Sequence, residues 1–167
     1  HNWTKNNEYL LDGFVYLESG GVLNIEEGTV IKAKETPSTG DNASALIITQ
    51  GAKINAVGTA SEPIIFTTEL DDINDNADLT GEDRGLWGGI IILGYGQLAF
   101  QSVTANVEGI PTTETRAVYG GSDDTDNSGT LKYVSIRHGG AELSPGDEIN
   151  GLTLGGVGSG TTIEYVE

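Results

Sequence analysis

A short strand-and-turn unit recurs along this chain, and few folds accept such a unit. Leu23-Asn24-Ile25-Glu26-Glu27-Gly28-Thr29 and Ile54-Asn55-Ala56-Val57-Gly58-Thr59 share one order once a residue is gapped: apolar, Asn, apolar, a spacer, then Gly-Thr. Each is followed by a second apolar run, Val30-Ile31-Lys32-Ala33 in the first case and Pro63-Ile64-Ile65-Phe66-Thr67-Thr68 in the second. A unit this small cannot bury its own apolar face and must stack on its neighbours, which makes a solenoid.

The spacing predicts three short strands per coil. The first coil reads Phe14–Leu17, Val22–Ile25 and Thr29–Lys32, with turns at Glu18-Ser19-Gly20-Gly21 and Glu26-Glu27-Gly28. Three strands and two tight turns in roughly 20 residues is the repeat of a parallel β-helix rung. A second rung is expected at Ala45–Thr49, Lys53–Val57 and Ile64–Thr68. A third begins at Leu86–Leu93 and continues through Gln97–Phe100, and later strands fall at Leu131–Arg137, Gly151–Leu154 and Thr161–Val166. Residues 1–12 read as a lead-in that covers the first coil, and loop insertions between rungs fall at about 69–85 and 101–129. No window carries a glycine-free i, i+3, i+4, i+7 apolar face, and the 25 glycines suit turns rather than helices. The expectation is an all-β, right-handed parallel β-helix over residues 1–167, the hand being that of nearly all parallel crossovers.

Two details refine it. Ile90-Ile91-Ile92-Leu93 does not alternate, so both faces of that strand should be buried, under an insertion, with Trp87 and Phe100 as candidate cover. Asn24 and Asn55 hold matching repeat positions, where stacked side chains can bond as a ladder. The closing strand pattern stops without a polar cap, so the chain reads as part of a longer solenoid with open edges that invite self-association.

Charge and composition narrow the partners. With 25 acidic and 8 basic residues the formal charge is −17, which argues against nucleic acid and anionic membrane surfaces. The absence of cysteine removes disulfides, thiol nucleophiles and thiolate metal sites. No apolar stretch approaches the ~18–20 residues of a membrane span.

GFVYLESGGVLNIEEGTVIKA (13–33), ALIITQGAKINAVGTASEPIIFTT (45–68), RGLWGGIIILG (84–94), GTLKYVSIRHGG (129–140) and NGLTLGGVGSGTTIEYVE (150–167) occur in that order. Together they resemble secreted right-handed parallel β-helix proteins of Bacteroidota and related marine bacteria, often outer-surface lipoproteins or type IX secretion cargo. The resemblance implies an extracellular or cell-surface setting and carries no catalytic motif.

Candidate chemistry is confined to two acidic loops and one basic strand end. Asp124, Asp126 and Ser128, followed by Gly129, match the first positions of a calcium loop, but Ser135 stands where the closing Glu belongs. The competing reading is a metal-free Asx turn. Asp72, Asn74, Asn76 and Asp78 place oxygens at every second residue of the other loop, where calcium or simple solvation would relieve the charge. Arg137-His138 ends a strand. Lyases on this scaffold use an Arg or Lys base, whereas the structural alternative has Arg137 paired with an acidic loop and His138 closing the strand. Gly155–Gly160 lacks the Lys-Ser/Thr and helix of a phosphate loop. The expected function is a non-enzymatic surface module, a scaffold or binder of polysaccharide or surface protein, possible calcium included. A lyase or hydrolase acting on an acidic glycan is the alternative.

Overall fold

A computed structural model describes residues 1–75, 77–99, 102–144 and 146–167. The chain winds as a parallel β-helix with three faces. An opening rung holds β1 (Asn2–Trp3) and β2 (Tyr9–Leu11). The next holds β3 (Phe14–Leu17), β4 (Val22–Ile25) and β5 (Val30–Ala33), and the one above it β6 (Ala45–Ile48), β7 (Lys53–Val57) and β8 (Ile64–Thr68). β9 (Gly89–Leu93) starts a further rung, and an excursion then carries β10 (Ala105–Asn106), a 3-10 turn at Thr115–Ala117 and β11 (Val118–Tyr119). β12 (Gly129–Ile136) returns to the coil, β13 (Glu142–Ser144) and β14 (Asp147–Glu148) form a side hairpin, and β15 (Leu152–Gly155) and β16 (Thr162–Val166) complete the last rung. Among the described residues no helix is long and apolar enough to cross a membrane.

The first face stacks β3, β6, β9 and β15, all parallel. The second stacks β1, β4, β7 and the start of β12, and the third β2, β5, β8 and the end of β12. β12 spans two faces in one strand because it bends at Tyr133, and β16 lies along it in the same bent form. Inward side chains form register columns: Trp3–Ile25–Ala56–Leu131–Ile163 on the second face and Tyr9–Ile31–Phe66–Ile136 on the third. The coil is closed tightly where β12 meets β7. A Cβ on Gly129, whose φ is 115°, would lie 1.9 Å from the Ile54 carbonyl oxygen.

The polar ladder forms and is longer than its two predicted members. Asn55 Nδ2 donates to Asn24 Oδ1 at 2.9 Å, and Asn24 Nδ2 donates to Asn2 Oδ1 at 3.0 Å. Asn2 belongs because residues 1–12 are not a lead-in: β1 and β2 pair in register and make a rung themselves.

Two further expectations are corrected. Residues 97–99 form no strand, and Phe100 lies outside the described residues. The chain leaves the coil after β9, and β12 supplies the rest of that rung. The apolar cover over β9 comes from an insertion as expected, but Trp87 is not part of it. Ile47, Ile91 and Leu93 are buried on the outer side of the first face under Val107, Ile110 and Ala117 from the excursion and Ala141, Leu143 and Ile149 from the hairpin region. Trp87 is only 1% exposed and lies in the inner core instead. Its indole N–H donates to the Arg137 carbonyl at 2.7 Å, and that bond holds it in place. A Trp buried with its one donor satisfied is stable inside, and no sequence pattern distinguishes that from an outer position.

Candidate functional site

The insertion that follows β8 rises over the outer surface of the third face. It is tied down at both ends. Asp71, 4% exposed, accepts from Thr67 Oγ1 at 2.5 Å, and Arg137 Nη1 lies 4.0 Å from the same carboxylate oxygen. Lys32 Nζ donates to the Asp71 carbonyl at 2.7 Å, and Arg137 Nε donates to Ser135 Oγ at 3.1 Å. At the exit, His138 Nδ1 lies 2.5 Å from the Asp83 carbonyl oxygen. Hydrogen bonds from the Thr80 backbone and hydroxyl, aided by the field of His138, hold the Asp83 carboxyl below its usual range. Arg137 thus pairs with the acidic loop, and His138 fastens that loop at the end of β12. Asp71 is the residue that sequence reasoning missed. Its proximity to Thr67 and Arg137 depends on the stacking of β8 on β12, which spacing along the chain does not show.

Of the calcium candidates, Asp72, Asn74 and Asp78 share one loop turn. The Asp72 amide donates to Asp78 Oδ2, and Asp72 Oδ1 accepts from the Asn74 amide at 3.1 Å. Asn76 lies outside the described residues. In the other loop the oxygens are committed separately. Asp124 Oδ1 accepts from the Gln97 amide at 2.9 Å, while Asp126, 9% exposed, accepts from Ser128 Oγ at 3.0 Å. Among the described residues no group of three or more His, Cys, Asp or Glu side chains is placed to share a metal ion.

Two clefts open on the third face. One, of about 730 Å³, lies between residues 5–10 and the 72–74 turn, with Tyr9, Leu10, Val30 and Lys32 in its walls. Lys5 and Lys32 meet Glu8 and Asp72 there, so its charge is balanced although the chain is strongly acidic. The second, of about 380 Å³, lies at the corner between the second and third faces and is lined by Thr59, Pro63, Tyr133, Ser135, Tyr165 and Glu167, among others. The register column Val30–Ile65–Ser135 lies between the two clefts, with Ser135 only 3% exposed and its hydroxyl bonded to Arg137 Nε.

Stacked parallel strands on three faces, with insertions rising from the coil, give the chain the form of a known scaffold. The family model described as the pectate-lyase-like β-helix domain matches residues 1–167. The chain belongs to that family. No curated protein and no solved structure matches it. The family is likened to pectate lyase in fold, which makes the cationic residues candidate bases. A general base must shed its proton near working pH. Three basic groups move the other way. The hydrogen bond that Lys5 donates to Glu62 raises its pKa, as do those from Lys132 to Glu164 and from Arg116 to Glu114.

The excursion over the first face is a separate structural device. The Arg116 guanidinium lies 3.7 Å from the Tyr16 ring centre, bonds Glu114 at 2.7 and 2.5 Å, and reaches Glu18 at 3.2 Å. These bonds pull the Glu114 carboxyl down to about 2. Burial under the same cap, followed by the nearby Glu114, pushes the Tyr16 phenol up to about 12.

Proposed function

We propose that this β-helix is an extracellular or cell-surface module that binds a polysaccharide along its third face without cutting it. The observation that carries the reading is the presence of two clefts on one face of the coil, at Lys32 and at Tyr133, whose walls belong to strands stacked in register. Rungs repeat at about 4.8 Å, so such a pair suits an extended polymer better than a compact ligand. The balanced Lys5, Lys32, Glu8 and Asp72 wall offers both donors and acceptors to hydroxyl groups.

A second reading is a lyase for an acidic glycan. It is favoured by Arg137, which stands on the third face beside buried Asp71. Incubation with polygalacturonate and alginate separates the two. A new ultraviolet absorbance from unsaturated product, abolished in Arg137→Ala, establishes the lyase. Retention of a polysaccharide in affinity electrophoresis, with no product and with loss in Lys32→Ala, is the expected result.

A further inference from the structure

The hairpin of β13 and β14 returns to the coil through Asn150-Gly151, the one Asn-Gly pair in the chain. Asn150 is exposed, and Gly151 lies in a bend just before β15. Neither the Asn150 carboxamide nor the Gly151 amide has a hydrogen-bond partner among the described residues. Gly151 also has open space beside it, since an added Cβ would meet nothing nearer than Ile136 Cγ2 at 3.4 Å. Other asparagines are held. Asn127 Oδ1 accepts from the Gly129 amide at 2.9 Å, and the Ser128 amide that follows it donates to Thr161 Oγ1 at 2.9 Å. The Asn74 carboxamide donates to Asp72 Oδ1 at 3.2 Å, and the next amide, that of Asp75, donates to the Asp72 carbonyl at 2.8 Å. The carbonyl side of Asn150-Gly151 is tight by contrast. The Gly151 carbonyl accepts from the Ile90 amide at 2.9 Å, and a Cβ on Gly89 would lie 2.5 Å from that oxygen and 2.6 Å from the Asn150 oxygen.

We propose that Asn150-Gly151 is a site of spontaneous backbone modification, at which the folded protein converts asparagine to isoaspartate and aspartate. The Gly151 amide gives its proton to solvent hydroxide, and its nitrogen attacks Asn150 Cγ. The new N–Cγ bond closes a five-membered succinimide, the Cγ–Nδ2 bond breaks, and Nδ2 leaves as ammonia with a proton from water. Water then opens the ring. Attack at Cγ gives aspartate, and attack at the main-chain carbonyl carbon gives isoaspartate. Nothing is oxidised or reduced. Glycine permits the approach because it has no Cβ and a wide choice of φ and ψ. The free amide matters because one that donates to a carbonyl is held in place by that bond. Isoaspartate lengthens the main chain by one carbon between Ile149, which is buried in the outer apolar layer, and β15. Gly89 leaves the two carbonyls no room to shift, so the product works against the β9–β15 pairing. The reaction is independent of whether the clefts bind a polysaccharide.

The test holds the whole chain, folded, in mildly alkaline buffer at physiological temperature and follows each asparagine by peptide mass mapping. Enzymatic methylation of isoaspartate separates the two products. Asn150 is expected to convert ahead of Asn127 and Asn74, and at a rate comparable with that of the urea-unfolded chain. Gly151→Ala should slow the conversion about tenfold, which is about 1.4 kcal/mol on the barrier. Conversion of Asn150 in urea but not in the folded chain would mean that the fold protects the pair, and the site is overturned. Conversion led by another asparagine, or unslowed in Gly151→Ala, overturns it as well. The structural consequence is read separately. The isoaspartate form, isolated by chromatography, should melt about 2–4 °C below Asn150→Asp, the size of one lost main-chain hydrogen bond. Asn150→Asp adds the same charge without the extra carbon. If the two melt alike, the junction tolerates the longer chain and the effect on the β9–β15 pairing is refuted.

Discussion

Replacing Gly129 with alanine tests the closure of the coil, and Gly28→Ala is its control. Both glycines have positive φ, 115° and 74°. At Gly28 an added Cβ would meet only ordinary contacts, the nearest at 3.5 Å on the Glu62 side chain. The cost there is the left-handed backbone alone, about 1–2 kcal/mol. At Gly129 the same cost applies, but the new Cβ also falls 1.9 Å from Ile54 O and 2.7 Å from Ile54 C. These are backbone atoms and cannot rotate away. The β7–β12 pairing must part, weakening the 3.0 Å bond from the Ile54 amide to the Ser128 carbonyl, worth about 1 kcal/mol. It also loosens Leu131 from Ala56, for about a further 1–2 kcal/mol of apolar contact. The total is about 3–5 kcal/mol. At roughly 2–4 °C per kcal/mol for a chain of this size, Gly129→Ala should lower Tm by about 6–20 °C and Gly28→Ala by about 2–8 °C. Scanning calorimetry and urea unfolding measure both. Equal shifts in the two variants would refute the placement of Gly129 against Ile54.

Three other outcomes follow from the same structure. Ile91→Ala should cost about 2–5 kcal/mol in urea unfolding, although Ile91 points away from the coil interior, because the excursion and hairpin bury it. Asp12, lowered to about 2 chiefly by its hydrogen bond with Lys34, and Glu114, lowered to about 2 by Arg116, have folded pKa values below their unfolded ones. Their stabilisation is therefore present above about pH 4 and lost as pH falls toward 2. The Tm gap between wild type and Asp12→Asn or Glu114→Gln should close across that window. Calcium is proposed to bind through Asp124, Asp126 and Ser128, with the loop of Asp72, Asn74, Asn76 and Asp78 as a second site, at the cost of the hydrogen bonds that carboxylates of both loops now accept. At a hundredfold excess over Kd it would add about 2.7 kcal/mol, with magnesium a poor substitute. Identical melts in calcium and chelator at matched ionic strength would remove that proposal.

The coil was legible in the sequence where turn residues bracket short apolar runs. Strands at Phe14–Leu17, Val22–Ile25, Lys53–Val57 and Ile64–Thr68 fall where the periodicity put them. Asn24 and Asn55 lie in register as their repeat positions implied, because a stacked solenoid converts sequence repetition into adjacency. That an insertion separates β9 from β12 was legible, but its packing was not. The intervening segment contains apolar residues of its own, and only tertiary packing shows that Val107 and Ile110 cover the first face rather than extend the coil. The stacked tyrosines left no sequence signal either. Positive φ is expected of Gly or Asn, and nothing around Tyr133 and Tyr165 announces it. The tie between Asp71 and Arg137 spans a long stretch of chain and follows from rung stacking alone.

The most direct test of polysaccharide binding along the third face is a backbone-amide NMR titration with β-glucan oligosaccharides of increasing length. Shift changes confined to Lys32, Ile65, Tyr133, Ser135 and Tyr165, strengthening with oligosaccharide length and leaving the sugar uncut, are expected. Changes centred on the first face, or spectra unmoved by any oligosaccharide, would contradict it.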